Sequence, residues 1–154
     1  MDKIPMTAEG FKKLEDELKD LKHVQRPQVI EDIAEARAHG DLSENAEYHA
    51  ARERQSFIEG RLEELEAVLS RAEIIDISRF KGDTVVRFGA FVTVADEEAT
   101  YQIVGEYESD MGRKKISLTA PIARAMIGKS VDDSIEVQTP KGTKSYEIID
   151  VKYA

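Results

Sequence analysis

The chain has 154 residues, 31 acidic against 22 basic side chains, and a formal net charge of −9. That charge repels phosphate backbones at long range, which disfavours free nucleic acid as the primary partner. The complete lack of cysteine excludes disulfides and thiolate metal sites and fits a reducing cytoplasm. The balance is −7 over residues 1–75 and −2 over residues 76–154, so the acidity sits mainly in the first half. A protein with basic surface is the expected partner. No apolar run nears the ~18 residues of a bilayer span, and Met1-Asp2-Lys3-Ile4-Pro5-Met6 lacks the basic start and apolar core of a secretory signal. A cytoplasmic protein without membrane attachment is expected.

The first predicted element is a long helix. Thr7 suits an N-cap, with Met6 before it placed to staple onto Phe11. Phe11, Leu14, Leu18 and Leu21 recur at alternating three- and four-residue spacings, the seam of a coiled coil. Pro27 predicts a bend near residues 24–27, after which Val29, Ile30, Ile33 and Ala34 resume the periodicity as far as Ala38. A helix over residues 8–38 would be roughly 45 Å long. Gly40 is the natural stop. The second helix is read as beginning at Asp41-Leu42-Ser43-Glu44 and running to about Ser70, with Tyr48, Ala51, Gln55, Ile58, Leu62, Leu65 and Leu69 on its seam. Two such helices joined by a short turn fold back as an αα-hairpin. Ala36, Ala46, Ala50 and Ala51 allow close approach near its tip.

After residue 73 the pattern turns to β. Ile74–Ile77, Thr84–Val94, Tyr101–Tyr107, Lys115–Leu118, Ser134–Val137 and Ser145–Val151 read as strands, and Pro121–Ile127 as one short helix with Gly128 after it. The fold class is α+β in two domains. Residues 1–75 form a long antiparallel coiled-coil hairpin with an acidic tip at 40–45, residues 76–82 a linker, and residues 83–154 a small β-sheet domain.

The chemistry concentrates at the tip. Asp41 and Glu44 stand three apart at a helix start, so Asp41 as N-cap and Glu44 at the third helical position make a capping box. The same ionised pair on an exposed tip suits a hard cation such as Mg²⁺, with the remaining ligands coming from a partner or substrate phosphates. Both readings can hold together. His39 and His49 lack metal-ligand spacing and read as surface or capping residues. Arg37, Arg52 and Arg54 can hold phosphate or pair with Glu35, Glu47 or Glu53 on helix surfaces. Tyr48 falls on the seam, with base stacking the alternative. Arg113-Lys114-Lys115 reads as a solvated turn, and no phosphate loop or nucleophile–base pair is found.

The run Ala36-Arg37-Ala38-His39-Gly40-Asp41-Leu42-Ser43-Glu44-Asn45-Ala46-Glu47-Tyr48-His49-Ala50-Ala51-Arg52-Glu53 closely resembles the tip of the Gre transcript cleavage factors of the GreA type. Ile4-Pro5-Met6-Thr7 and Pro121–Asp133 look like the same family, with Ala120 standing where a Ser is usual. The resemblance covers essentially the whole chain. It implies an FKBP-like second domain docking on bacterial RNA polymerase, with the hairpin entering the secondary channel. It also implies that the chain is not an enzyme but a monomeric cofactor of the polymerase's cleavage of backtracked nascent RNA. By that resemblance Asp41 and Glu44 hold Mg²⁺ jointly with the polymerase and position water. Ser43 and Asn45 support the tip, and Arg37 and Arg52 contact RNA or the channel. Two rival expectations are a channel-occupying inhibitor and a prolyl isomerase or chaperone built on the FKBP-like half, although fold alone confers neither activity.

Overall fold

A computed structural model describes residues 2–95 and 98–153. Met1, at the head of the segment read above as lacking a signal, and the final Ala154 lie outside the described residues. The chain divides into two compact units, one built on Phe11–Ala72 and the other on Lys3–Gly10 with Glu73–Ala154. The sheet unit therefore takes in residues 3–10 and 73–82 as well as the expected 83–154.

The first limb of the hairpin comprises α1 (Ala8–Asp20), a π-helical turn (Leu21–Gln25) and α2 (Arg26–Ala38), and the return limb is α3 (Ala46–Ser70). The predicted irregularity before Pro27 takes the form of that π turn, closed by the Arg26 N–H donating to the Leu21 carbonyl. A wider turn relieves the pyrrolidine ring of its clash with the carbonyl four residues back. It also explains the seam. Leu14, Leu21, Val29 and Ala36 are buried at spacings of seven, eight and seven, the eighth residue being absorbed by the π turn. The phase shift puts Ile30 and Ala34 out of the seam, contrary to the simple periodicity; Ile30 is 52% exposed. On α3, Ala51, Ile58, Leu62, Leu65 and Val68 are buried, while Leu69 is only half-buried. Arg61 clamps the limbs with a two-pronged bond to Glu17 at 2.7 and 2.8 Å, and Arg26 and Arg54 reach Glu59 and Asp32. Solvent screens pairs this exposed, so their main effect is on register. No helix among the described residues is long and apolar enough to cross a membrane.

In the other unit β1 (Ile4–Met6) pairs with β2 (Ala72–Ile74) in a two-stranded sheet. The main sheet has five strands, β3 (Phe91–Val94), β4 (Ala99–Val104), β5 (Lys115–Ser117), β6 (Ser134–Thr139) and β7 (Gly142–Lys152), in the order β5-β4-β3-β7-β6. The β4–β5 pair is parallel and the rest are antiparallel. A bulge between Thr93 and Val94 pairs them with Asp150 and Ile148, leaving Ile149 unopposed and 45% exposed. The short helix α4 (Pro121–Met126) presses Ala123 and Met126 into a core with Val92, Val94, Ile103 and Ile148.

Three strand predictions are corrected. The segment read as a strand to Ile77 stops at Ile74. The Asp76 carboxylate then accepts the Ser78 N–H at 3.1 Å and opens a 3₁₀ turn, Ile77–Phe80. Ile77 and Phe80 of the expected linker pack against the core. Thr84–Val94 forms a strand only over its last four residues, because Asp83 folds onto the Val85 N–H and Gly89 turns the chain at φ +86. Tyr101–Tyr107 ends at Val104, with a 3₁₀ turn over Glu106–Glu108.

Tyr153 closes this core at 4% exposure. Its hydroxyl accepts the Arg87 N–H at 2.8 Å and donates to the Val85 carbonyl. Burial raises its pKa above the usual 10. The stability tied to the protonated phenol is complete below about pH 10 and is lost as pH rises through the raised value. Asp76 and Asp83 behave oppositely. Their accepted hydrogen bonds, from the Ser78 hydroxyl and the Val85 N–H foremost, hold them below the usual carboxylate range. Their contribution is present above about pH 4 and fades as pH falls through the depressed values. Tyr153→Phe is expected to lose about 1–3 kcal/mol by stranding two backbone groups. Urea titrations at pH 7 and above pH 10 should show the deficit shrinking at high pH.

Candidate functional site

The tip is built from the end of α2. The Gly40 N–H donates to the Arg37 carbonyl at 3.1 Å, and Gly40 stands at φ +83, a left-handed stop that a side chain would strain. Asp41 follows at φ +24, one of the few residue types that tolerate that region. Residues 41–44 then form a tight turn, with the Glu44 N–H donating to the Asp41 carbonyl at 3.3 Å. The Ser43 hydroxyl donates to Asp41 Oδ1 at 2.9 Å. Asp41, Ser43 and Glu44 are all exposed, as is Leu42 at 38%.

The capping box expected of Asp41 and Glu44 is absent. An N-cap residue needs an extended backbone, which Asp41 lacks; the cap is Asn45, at φ −84 and ψ 98, and the helix starts at Ala46. Asn45 Oδ1 accepts the Tyr48 N–H at 3.0 Å. Its Nδ2 donates backwards to the Ala36 carbonyl at 2.7 Å, tying the two limbs together across the turn. Asn ranks with Asp and Ser as an N-cap, and that preference was the available signal for Asn45. The correction matters for chemistry: neither carboxylate serves the helix, so both remain available to an outside group. Asn45→Ala should cost about 1–2 kcal/mol, read as lower helical melting by circular dichroism.

The other tip residues are distributed separately. His39 Nδ1 lies 3.4 Å from Glu47, and His49 Nε2 lies 3.3 Å from the Ser43 carbonyl, so the histidines do not meet as a ligand pair. Arg54 pairs with Asp32 at 3.3 Å. Arg52 donates to the Tyr48 hydroxyl at 3.0 Å, and Arg37 has no side-chain partner among the described residues. No group of three or more His, Cys, Asp or Glu that could hold a metal occurs among the described residues. The chain alone thus supplies two carboxylates, a partial donor set for a hard cation.

Residues 4–74 match the N-terminal domain of the GreA/GreB transcription elongation factors, and residues 81–153 match their C-terminal domain. Transcription elongation factor GreA of Rickettsia canadensis (strain McKiel) is 63% identical over 155 residues, spanning 98% of this chain and 95% of the relative. Transcription elongation factor GreA of Paracoccus denitrificans (strain Pd 1222) is 60% identical over 157 residues, spanning 99% of each. Among solved structures, Thermus aquaticus Gfh1 is 25% identical over 99% of both chains, with a TM-score of 0.45. The two family models cover the helical hairpin and the mixed-sheet unit in chain order, and together they make the chain a transcription elongation factor. The chain belongs to the GreA/GreB family and is of the GreA type, an elongation factor rather than an enzyme itself.

Proposed function

We propose that this factor enters the secondary channel of bacterial RNA polymerase and stimulates endonucleolytic cleavage of backtracked nascent RNA. The carrying observation is that Asp41 and Glu44 stand exposed on one turn at the end of the hairpin, free of helix capping. The sheet unit, proposed to be FKBP-like, docks at the channel mouth. The factor works as a cytoplasmic monomer, one hairpin per channel.

Asp41 and Glu44 would hold a Mg²⁺ jointly with the polymerase, since their oxygen donors suit that ion but do not fill its coordination sphere. The ion supplies Lewis-acid charge at the phosphodiester being hydrolysed. Ser43 steadies the Asp41 carboxylate through Oδ1, leaving its second oxygen available. Arg37 and Arg52 offer guanidinium donors to the extruded RNA 3′ segment. Hydrolysis releases a short 3′ fragment and leaves a new 3′ hydroxyl in register for synthesis.

The test is a stalled, backtracked complex with end-labelled RNA, incubated with Mg²⁺ with and without the factor. Factor-dependent shortening of the transcript followed by resumed elongation is the expected result. Slowed nucleotide addition without shortening would instead identify a channel-occupying inhibitor.

A further inference from the structure

Most arginines of the hairpin unit are already engaged by acid or backbone. Arg26 is held by Glu59, Arg54 by Asp32, and Arg61 by Glu17 and Glu64, while Arg71 donates to the Asp2 carbonyl. Arg52 differs, because its partner is a neutral phenol. Its Nη1 donates to the Tyr48 hydroxyl at 3.0 Å, and its guanidinium carbon lies 5.8 Å from the ring centroid.

Tyr48 is well fixed for that purpose. It stands at the third residue of α3, where its N–H donates to the Asn45 cap. The ring is half-buried and meets His49 edge-on at 5.5 Å. Arg52 follows one turn later, at the i, i+4 spacing that brings helical side chains together. A carboxylate at position 48 would orient the guanidinium and also neutralise it. A phenol orients it through one hydrogen bond and the ring face, leaving the full charge and the remaining N–H donors for another group. Pre-ordering a long side chain lowers the entropy lost when it later grips a ligand.

We propose that Tyr48 is a positioning residue, holding the Arg52 guanidinium ordered and uncompensated for a phosphate of the extruded RNA. This rests on the reading of the tip as the RNA-cleavage element. Tyr48 touches no reacting atom and acts only through Arg52.

The test compares wild type, Tyr48→Phe, Arg52→Gln and the double variant in cleavage of backtracked complexes, with the factor titrated to saturation. Tyr48→Phe keeps the ring and is expected to lower the saturating rate about three- to tenfold, the scale of one hydrogen bond. The half-saturating factor concentration should stay unchanged, and thermal melting should match wild type. The double variant should be no slower than Arg52→Gln alone. A wild-type rate for Tyr48→Phe overturns the assignment, as does a loss that recurs in full when Arg52 is already Gln. Asp41→Asn in the same assay separates the two levels. If cleavage persists at the wild-type rate in that variant, the proposed function fails and the Tyr48 assignment with it. If Asp41 is required while Tyr48→Phe is silent, only the Tyr48 assignment falls.

Discussion

Asp41→Asn and Glu44→Gln are each expected to lower factor-stimulated RNA cleavage by about 100-fold or more, while competition for polymerase binding stays within about twofold of wild type. Both substitutions are nearly isosteric and remove one negative charge each. Neither residue caps a helix, and both are exposed, so the fold should be unaffected. What changes is the pair of anionic oxygens available to a hard cation. The defect should therefore recover partly as Mg²⁺ is raised, because a weakened ligand lowers the ion's affinity before it alters the chemistry. A loss indifferent to Mg²⁺ would assign the carboxylates to water positioning alone. Unimpaired cleavage by both variants would remove them from the reaction. Alanine variants are less informative, since they also remove the Ser43–Asp41 hydrogen bond that steadies the turn.

The hairpin was legible because its physics is periodic. Leu14, Leu21, Ile58, Leu62 and Leu65 announce an apolar seam through spacing alone, and Gly40 announces where the chain reverses. Ile30 was misplaced for a reason that periodicity cannot register: relief at Pro27 inserts an extra residue into one turn, and everything beyond it shifts phase. At the tip, the choice between Asp41 and Asn45 as cap depended on backbone dihedrals. Both residue types cap well, so composition could not choose between them. The metal and RNA roles of the tip came from the family resemblance, because a capping box and a cation pair share one spacing. In the sheet unit the error lay in length. Thr84 to Phe88 has β-type composition, yet Asp83 and Gly89 impose turns that propensity does not weigh.

The contact least visible in the chain has the largest expected effect on stability. Glu108 lies 101 residues from Thr7, yet its carboxylate accepts the Thr7 N–H at 3.2 Å and the Thr7 hydroxyl. That hydroxyl in turn accepts the Gly10 N–H at 3.0 Å, and the same carboxylate accepts the Gly105 N–H at 2.7 Å. The Thr7 and Gly105 N–H groups facing Glu108 can only donate, so the position demands an acceptor towards them, while the Thr7 hydroxyl can donate or accept. Glu108→Gln, conservative in shape, can keep its amide oxygen on the Thr7 and Gly105 N–H groups and turn its N–H₂ towards the Thr7 hydroxyl, losing the charge but not the bonds. Glu108→Ala is expected to cost about 3 kcal/mol by stranding these part-buried donors, and Glu108→Gln about 1 kcal/mol for bonds that lose their charge. Gly10→Ala should act by the same route from the other side, because an added Cβ would lie 1.7 Å from Glu108 Oε1. Hydrogen exchange followed by mass spectrometry provides the local reading. Amides of residues 3–10 and of Gly105 should lose protection in Glu108→Ala and Gly10→Ala, and less in Glu108→Gln, while the helical amides of Ala51–Leu65 keep theirs. Wild-type protection at Thr7 and Gly105 in Glu108→Ala would show that the side chain does not anchor this segment, and that the buried Thr7 and Met6 hold it through packing instead.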